Sequence, residues 1–231
     1  MVYHFGRGTK RNERAHGGAL ELYNTLSSAG KLSQYILFEK RKPRGMEHFS
    51  GLLRAIKNQF VINFSYQKFF EEEFSQRMAE PYSLKEFKGR WYLIAKDLKD
   101  DAVKTFGLDR MSALEITKKK FELARHFDAG KLFSHCFGII CPDGSGPEEI
   151  ILSFDRVQGK YIRSFPLHES QQTVKEDQTE IRVKLKVYPT LDLMMELLSH
   201  GGRVKVISPV KLKNAIRRMH VKAAGQYSAK K

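Results

Sequence analysis

The chain has 231 residues, 41% of them hydrophobic, which allows one large domain or two small ones with real cores. Lys and Arg total 41 against 26 Asp and Glu, and the net charge of +15 is typical of a protein that meets a polyanion, most often nucleic acid. A merely solubilising surface is the alternative explanation of that charge. No apolar run approaches the roughly 20 residues of a membrane span and no secretory signal is present, so we predict a cytoplasmic protein without a membrane partner.

Residues 1–45 are predicted to be an N-terminal remnant or linker, partly disordered and partly helical. Residues 1–18 are rich in Gly, Arg and His and show no periodicity, which indicates disorder. Apolar residues then recur at the spacing of a helix face between Ala19 and Leu26, and Gly30 is a suitable end for that helix.

Residues 46–126 are predicted to form a helix followed by a small barrel. Between 46 and 58 the apolar residues share one side of a helix, and from Phe60 onwards the hydrophobic period becomes that of a strand. Five short strands are predicted at 61–67, 77–84, 90–96, 103–108 and 112–117. Strands this short and this closely spaced fit a five-stranded barrel with flanking helices, because closure removes exposed edges.

Residues 127–148 are predicted to link this domain to a second one at 149–231. An apolar segment at 127–137 is interpreted as a linking helix, and the Pro- and Gly-rich stretch at 141–147 is the strongest linker signal in the chain. The second domain is predicted to have strands at 149–155, 168–175, 179–188 and 203–207, and helices at 156–165, 189–199 and 210–223. The order β-α-β-β-α-β is that of the ferredoxin-like fold, so the predicted fold class is α+β.

No catalytic or metal-binding motif is present in the sequence. The eight histidines lack HxxxH or HxH spacing, and there is no nucleophile elbow, phosphate-binding loop or dinucleotide fingerprint. Cys136 and Cys141 have no second pair to complete a zinc site, so we interpret them as unpaired thiols in a reducing compartment. We therefore expect a protein that is not an enzyme, with no catalytic residues, metal or cofactor.

Four short segments, in this order and at this spacing, resemble a known family. They are Phe64-Ser65-Tyr66, Glu80-Pro81-Tyr82, Gly89-Arg90-Trp91-Tyr92-Leu93 and Thr105-Phe106-Gly107-Leu108-Asp109-Arg110. Residues from about 46 to 118 resemble a WYL domain on these segments. Residues 149–220 resemble the C-terminal extension domain of the same family, with Phe165-Pro166-Leu167-His168 and the predicted helix before Gly202 as landmarks.

The resemblance implies a small Sm-like or SH3-like barrel that senses a ligand in bacterial transcription regulators. Some members resemble sensors of single-stranded nucleic acid, with the WYL barrel as the effector site, and in such proteins an N-terminal winged helix-turn-helix reads duplex DNA. Residues 1–45 show no recognisable helix-turn-helix pattern. The DNA-reading half is therefore expected to be truncated, lost or supplied by a separate chain.

Strand parity and the family positions together predict a ligand-binding face. If Trp91 and Leu93 point into the barrel core, Arg90 and Tyr92 point outwards. Arginines suit phosphate groups and tyrosine rings suit stacked bases, a combination with weak sequence preference. The candidate ligand-binding or nucleic-acid-binding residues are Tyr66, Arg77, Arg90, Tyr92, Arg110 and Ser65, while Trp91 is interpreted as structural.

A second basic surface is predicted near the C-terminus. From Leu197 onwards the sequence has nine Lys or Arg and no Asp or Glu. In the final predicted helix, Lys211, Arg218 and Lys222 fall on one stripe beside the apolar face. This stripe is either a solvated helix face or a second surface that tracks phosphates.

The leading hypothesis is a ligand-sensing module of a WYL-type regulator. Its partner would be single-stranded nucleic acid or a nucleotide-like anionic effector, and a homodimer and a separate DNA-binding protein are further partners that this hypothesis allows. One alternative is a free-standing Sm-like protein that binds RNA or acts as an accessory factor. The other is a truncated regulator fragment without the ability to read DNA.

Overall fold

The computed structural model describes residue 41 and residues 43–123, 127–142, 144 and 146–227. The disorder predicted at 1–18 and the helix predicted between Ala19 and Leu26 lie outside these residues. Within them, two antiparallel sheets each have a hydrophobic core of their own, which confirms the α+β class.

Helix α1 (Phe49–Asn58) precedes the first sheet, as predicted, and follows a short 3-10 turn at Met46–His48. Its buried residues are Leu52 and Ala55, and it ends at Gln59, whose left-handed backbone lets its N–H reach the last helical carbonyls. The strands that follow are β1 (Phe60–Tyr66), β2 (Ser75–Phe87), β3 (Arg90–Asp97), β4 (Ala102–Gly107) and β5 (Met111–Lys120).

The first sheet has five antiparallel strands in the order β4-β3-β2-β1-β5. The number and sequence of strands agree with the prediction. Over the described residues, however, β4 and β5 are not hydrogen-bonded to each other, so the sheet is open and the predicted closed barrel is not found. A 3-10 turn at Leu108–Arg110 carries the chain from β4 into β5, which pairs with β1 at the other edge of the sheet, and α1 covers the apolar face against β1, β2 and β5.

The core of this sheet follows the strand alternation. Ile62, Phe64 and Leu93 are completely buried, and the register places Ile62 opposite both Ala79 and Ile116. Trp91 is partly buried and meets the ring of Phe49 edge-on at 4.8 Å between centroids. Its interpretation as a structural residue agrees with this packing.

A connector at residues 127–142 joins the two sheets. Its helix α2 (Ala129–Phe133) begins where the Asp128 carboxylate accepts the Lys131 N–H, and it is shorter than the predicted 127–137. After this helix has ended, Gly138 has a φ of 101° and Asp192 accepts the N–H groups of the next two residues, so the connector turns there. Both cysteines of the connector are free thiols.

The second sheet has the predicted β-α-β-β-α-β element order. Its elements are β6 (Glu148–Asp155), α3 (Arg156–Ser164), β7 (Gln172–Glu176), β8 (Glu180–Val187), α4 (Leu191–Ser199), β9 (Val204–Ser208) and α5 (Val210–Gly225). The strand order is β7-β8-β6-β9 and every pair is antiparallel. Strand β7 is shorter than the predicted 168–175, because a turn closed by the Gln171 N–H on the His168 carbonyl occupies the first positions.

The alternation predicted for β8 is confirmed. Its inward side chains are fully buried and its outward ones are charged; the inward set is Ile181, Val183, Leu185 and Val187. Gly159 of α3 lies so close to Ile181 that an added Cβ would come within 2.5 Å of the Ile181 Cβ, which lets α3 pack tightly on this strand. None of the helices in the described ranges is both long and apolar enough to span a bilayer.

Candidate ligand site

Gly107, at the end of β4, lies at the centre of the candidate site. It is opposite Tyr92 of β3, and its N–H donates to the hydroxyl of Tyr66 at 3.1 Å. A Cβ at this position would come within 2.5 Å of the Asp109 carboxylate and 2.6 Å of the Arg110 guanidinium. The turn at Leu108–Arg110 therefore folds both charged side chains back over a position where only glycine leaves room.

Arg110 is held between two aromatic rings. Its guanidinium carbon lies 5.3 Å from the centroid of the Tyr66 ring and 5.0 Å from that of Phe69, distances at which a cation is attracted to a ring face. Its Nε is 3.5 Å from Asp109 Oδ1, and this buried nitrogen has no hydrogen-bond partner within the described residues. The guanidinium is thus fixed in place but not fully bonded.

Arg90 approaches the same carboxylate from β3. Its Nη1 is 3.6 Å from Asp109 Oδ2, and its side chain is 60% exposed. Two guanidinium groups therefore share one carboxylate through long contacts, which leaves a local excess of one positive charge. We call Tyr66, Arg90, Tyr92, Asp109 and Arg110 the arginine–tyrosine cluster.

The two tyrosines of this cluster are neutral and covered. Burial raises the pKa of Tyr66, which Arg110 partly offsets, and burial also raises the pKa of Tyr92, which Arg90 partly offsets. The exposed fractions are 4% for Tyr66 and 8% for Tyr92, so neither ring offers a face to a base.

The expected outward, exposed position of Tyr92 is therefore wrong in one respect. Tyr92 does lie on the face of β3 opposite to Leu93, as parity predicted. That face is covered, however, because the connector residues Phe133 and Cys136 pack there against Ile94, two residues along the same strand. Strand parity reports the side of a sheet but not what packs on it.

Arg77 and Ser65 do not join the cluster. The register puts Arg77 opposite Phe64 on the inner face, where its Nη1 is 2.9 Å from Oδ2 of the fully buried Asp97. Lys104 binds the same oxygen at 2.8 Å. Ser65 Oγ accepts a hydrogen bond from Gln76 at 2.8 Å. Both predicted site residues are therefore engaged within the sheet.

Sequence reasoning missed the aromatic residues of the β1–β2 loop. Phe69, Phe70 and Phe74 are 73%, 84% and 60% exposed. Their signal was visible as three Phe around the Glu71–Glu73 run, which is most simply interpreted as a solvated loop. The loop is ordered by Gln67, whose side-chain amide donates to the Glu72 carbonyl at 2.9 Å, so Phe69 stays beside Arg110.

The predicted second basic surface lies on α5. Lys211, Arg218 and Lys222 are all exposed there, and the opposite side of the helix is anchored by the buried Leu212 and Ile216. The predicted helix and its buried side are thus confirmed.

The fold and the cluster together define a class: a protein with two antiparallel α+β domains, the first of which carries arginines suited to an anionic ligand. Residues 47–116 match the WYL domain, and residues 146–224 match the WCX domain. The chain belongs to the WYL-domain proteins and carries the WCX extension of that family.

Two curated relatives match part of the chain. Protein PafB of Mycobacterium tuberculosis and of Mycobacterium bovis are each 39% identical to it over 71 residues, which are 30% of this chain and 21% of theirs. A structure described as a CRISPR Cas-related protein aligns with 79% of this chain and 52% of its own length, at 14% identity and a TM-score of 0.51, which shows a similar fold. Proteasome accessory factor B/C of Arthrobacter aurescens aligns with 87% of this chain and 31% of its own length, at 19% identity and a TM-score of 0.35.

Proposed function

We propose that this chain is the ligand-sensing module of a WYL-type transcription regulator, and that the arginine–tyrosine cluster binds single-stranded nucleic acid or a nucleotide-like anion. The observation that supports this most is the sharing of one carboxylate by two guanidinium groups, next to the exposed ring of Phe69. Asp109 and the neighbouring rings hold the two guanidinium groups in position. The single carboxylate neutralises only one of their two positive charges, so an anion can still bind.

The arginines would bind the phosphate. Ion pairs of 3.5 and 3.6 Å to Asp109 are longer than the roughly 2.7–2.9 Å of a good charge-assisted hydrogen bond, so a phosphate could take over both guanidinium groups at small cost. Arg110 is already oriented by the Tyr66 and Phe69 rings, which reduces the entropy lost when the ligand binds.

Phe69 would stack on the base, in place of the predicted tyrosines. Its ring is exposed and lies over the Arg110 guanidinium, whereas the Tyr66 and Tyr92 rings are covered. Stacking on an aromatic ring is worth about 1–3 kcal/mol per base and accepts any base, so binding would show little sequence preference.

The family gives this site its biological setting. In this proposal the five-stranded sheet is the counterpart of the Sm-like barrel of the family, and the chain acts by binding rather than by turnover. A homodimer or a separate DNA-binding protein would convert ligand binding into transcriptional output. The matched segment spans about a fifth of the length of PafB, so PafB's activity as a whole is not assigned to this chain.

Titration with labelled single-stranded DNA and RNA tests the proposal. Arg110→Ala and Phe69→Ala should each weaken binding at low salt, with equal effects on oligonucleotides of different sequence, because phosphates carry no sequence code. Arg163→Ala is the matched control, since this arginine is also partly exposed and ion-paired, to Glu176 in the second domain. If both site variants bind like the wild type, the cluster is not the ligand site.

A further inference from the structure

Helix α5 holds an unusual concentration of unneutralised positive charge. No acidic residue occurs between Val210 and Gly225. Its basic side chains are all exposed, and none has an ion pair with any residue that the structure describes; they are Lys211, Lys213, Arg217, Arg218 and Lys222.

Several basic residues elsewhere in the same domain form ion pairs with acidic residues. Arg163 is paired with Glu176 at 2.6 Å, and both Lys175 and Arg182 are paired with Glu180 at 2.7 Å. The net charge of the chain is thus not spread evenly over its surface. Single lysines without a described ion pair also occur on the sheet, such as Lys186 and Lys205, but α5 gathers five such residues on one helix with no acidic residue among them, and a field of one sign attracts polyanions.

The positions of these residues follow from helix geometry. Leu212 and Ile216 are buried and fix the inward side of α5. At 3.6 residues per turn, Lys211, Arg218 and Lys222 form one row along the exposed half, and Lys213 and Arg217 fall on its other side. Uncharged residues lie between the rows; they are Val210, Asn214 and Val221, all exposed.

We infer that α5 is a second nucleic-acid surface, distinct from the arginine–tyrosine cluster, and that α5 binds in the major groove of duplex DNA. The helix has 16 residues and is about 24 Å long, and the major groove of about 12 Å admits one α-helix. Basic rows on both sides of an uncharged ridge match the phosphates of the two strands that border the groove. A single strand offers one row of phosphates and would leave the other row unused.

An anionic membrane surface is the competing partner for a basic helix. Membrane-surface helices insert an apolar face into the lipid. The apolar face of α5 is already used, since Leu212 and Ile216 belong to the core of the second domain. The exposed half carries only Val210 and Val221 as large apolar side chains, so the charge pattern favours nucleic acid.

The test compares two variants of equal net charge in the full chain. The α5 variant is Lys211→Gln/Arg218→Gln/Lys222→Gln, and the control is Lys118→Gln/Lys119→Gln/Lys120→Gln, three exposed lysines at the end of β5. Binding to a short mixed-sequence duplex is followed by fluorescence anisotropy over a series of salt concentrations, and binding to one of its single strands and to anionic vesicles is measured in parallel. Circular dichroism melting checks that both variants fold.

The α5 variant should lose about three phosphate contacts. The slope of log K against log salt should become shallower by about 2.7, and affinity at about 0.1 M salt should fall by about 500-fold, while the control changes it much less. The α5 variant should keep the single-strand binding that the proposed function assigns to the arginine–tyrosine cluster, so this inference and the proposed function fail independently. Equal losses in the α5 variant and the control, loss of single-strand binding instead, or loss only of binding to anionic vesicles would each overturn the inference.

Discussion

The Asp109 carboxylate sets the charge of the arginine–tyrosine cluster. It is 19% exposed and lies between Arg90 and Arg110, so it both holds the two guanidinium groups near each other and competes with any anion for them. These two roles have opposite effects on ligand binding. A substitution that keeps the shape and removes the charge separates them.

Asp109→Asn should strengthen the binding of single-stranded nucleic acid. Removal of one negative charge beside the site is worth about 1 kcal/mol near a protein surface, or about fivefold in affinity. The gain should shrink as salt rises, because exposed charges are screened. Anisotropy titrations at two salt concentrations measure it. Weaker binding by Asp109→Asn would show that the carboxylate matters more for alignment of the arginines than for competition.

Asp97 has the opposite character, since it is fully buried and well bonded. Burial alone would raise the pKa of this carboxyl group, but hydrogen bonds from Lys104 and from the Lys99 N–H, with the charges of Lys104 and Arg77, lower it overall. A lowered pKa means that the stabilisation is present above the unfolded-state pKa of about 3.9 and is lost as pH falls through the folded-state value.

Asp97→Asn should destabilise the protein by about 3–5 kcal/mol at neutral pH, because the nearly buried Arg77 would lose its carboxylate partner, whereas the more exposed Lys104 would keep Asp100. The difference from the wild type should shrink well below about pH 4, where the wild-type carboxyl group also becomes protonated. Urea denaturation at the two pH values gives both free energies of unfolding. An equal difference in the free energy of unfolding at both pH values would mean that packing, and not charge, accounts for the loss of stability.

At the scale of elements, the periodicity of apolar residues in the sequence predicted most of the helices and strands. The alternation in β8 predicted its buried side chains correctly, and the change of period at Phe60 marked the first sheet. The sequence did not reveal that the sheet stays open, because closure depends on where the Leu108–Arg110 turn directs the chain. Nor did it reveal that Phe133 and Cys136 of the connector, a segment distant along the chain, pack on the face of β3 that carries Tyr92 and Ile94.

The candidate site was predicted in part for the same reason. Arg90 and Arg110 meet as expected, since both follow from local strand and turn positions. Arg77 was misplaced because its partner, Asp97, is set by the register of a neighbouring strand. Phe69 was missed because exposed loop residues have no periodicity from which to infer their direction.

Gly138 is the point on which the connector depends, and Gly138→Ala should destabilise the fold. Its φ of 101° is unfavourable for alanine, and the new Cβ would come within 2.5 Å of the Asp192 carboxylate that holds the next two N–H groups. The expected cost is about 1–3 kcal/mol by urea denaturation. Gly146→Ala is the control, since no atom lies within 4 Å of its added Cβ and its change should be within about 0.5 kcal/mol. A similar cost for both would contradict this role.

At the scale of the whole molecule, the connector joins the two cores. Phe137 is buried in the core of the second domain, and its ring meets that of Phe87, from the first sheet, edge-on at 5.7 Å. Next to this contact Lys88 is paired with Glu196 of α4 at 2.5 Å. Asp192, also on α4, is close enough to raise the pKa of Tyr92. The second domain is thus in electrostatic reach of the candidate site.

The two domains should therefore unfold in one transition in differential scanning calorimetry. Phe137→Ala should remove about 3–5 kcal/mol of stability and separate that transition into two, because it deletes the side chain that both domains contact. Lys160→Ala, an exposed residue of α3, should leave the profile unchanged. Two transitions in the wild type, or one lower transition in Phe137→Ala, would contradict this coupling.

The burial of Phe137 also limits where recombination can exchange one domain of this chain for another. The Pro- and Gly-rich stretch at 141–147 looks like the natural joint at which recombination would exchange one domain for another. A crossover there would leave Phe137 on the donor half with no core to enter, and would leave a hole in the core of the transferred half. Exchange at this joint would be selected against, and the two domains would pass through evolution as one inseparable unit.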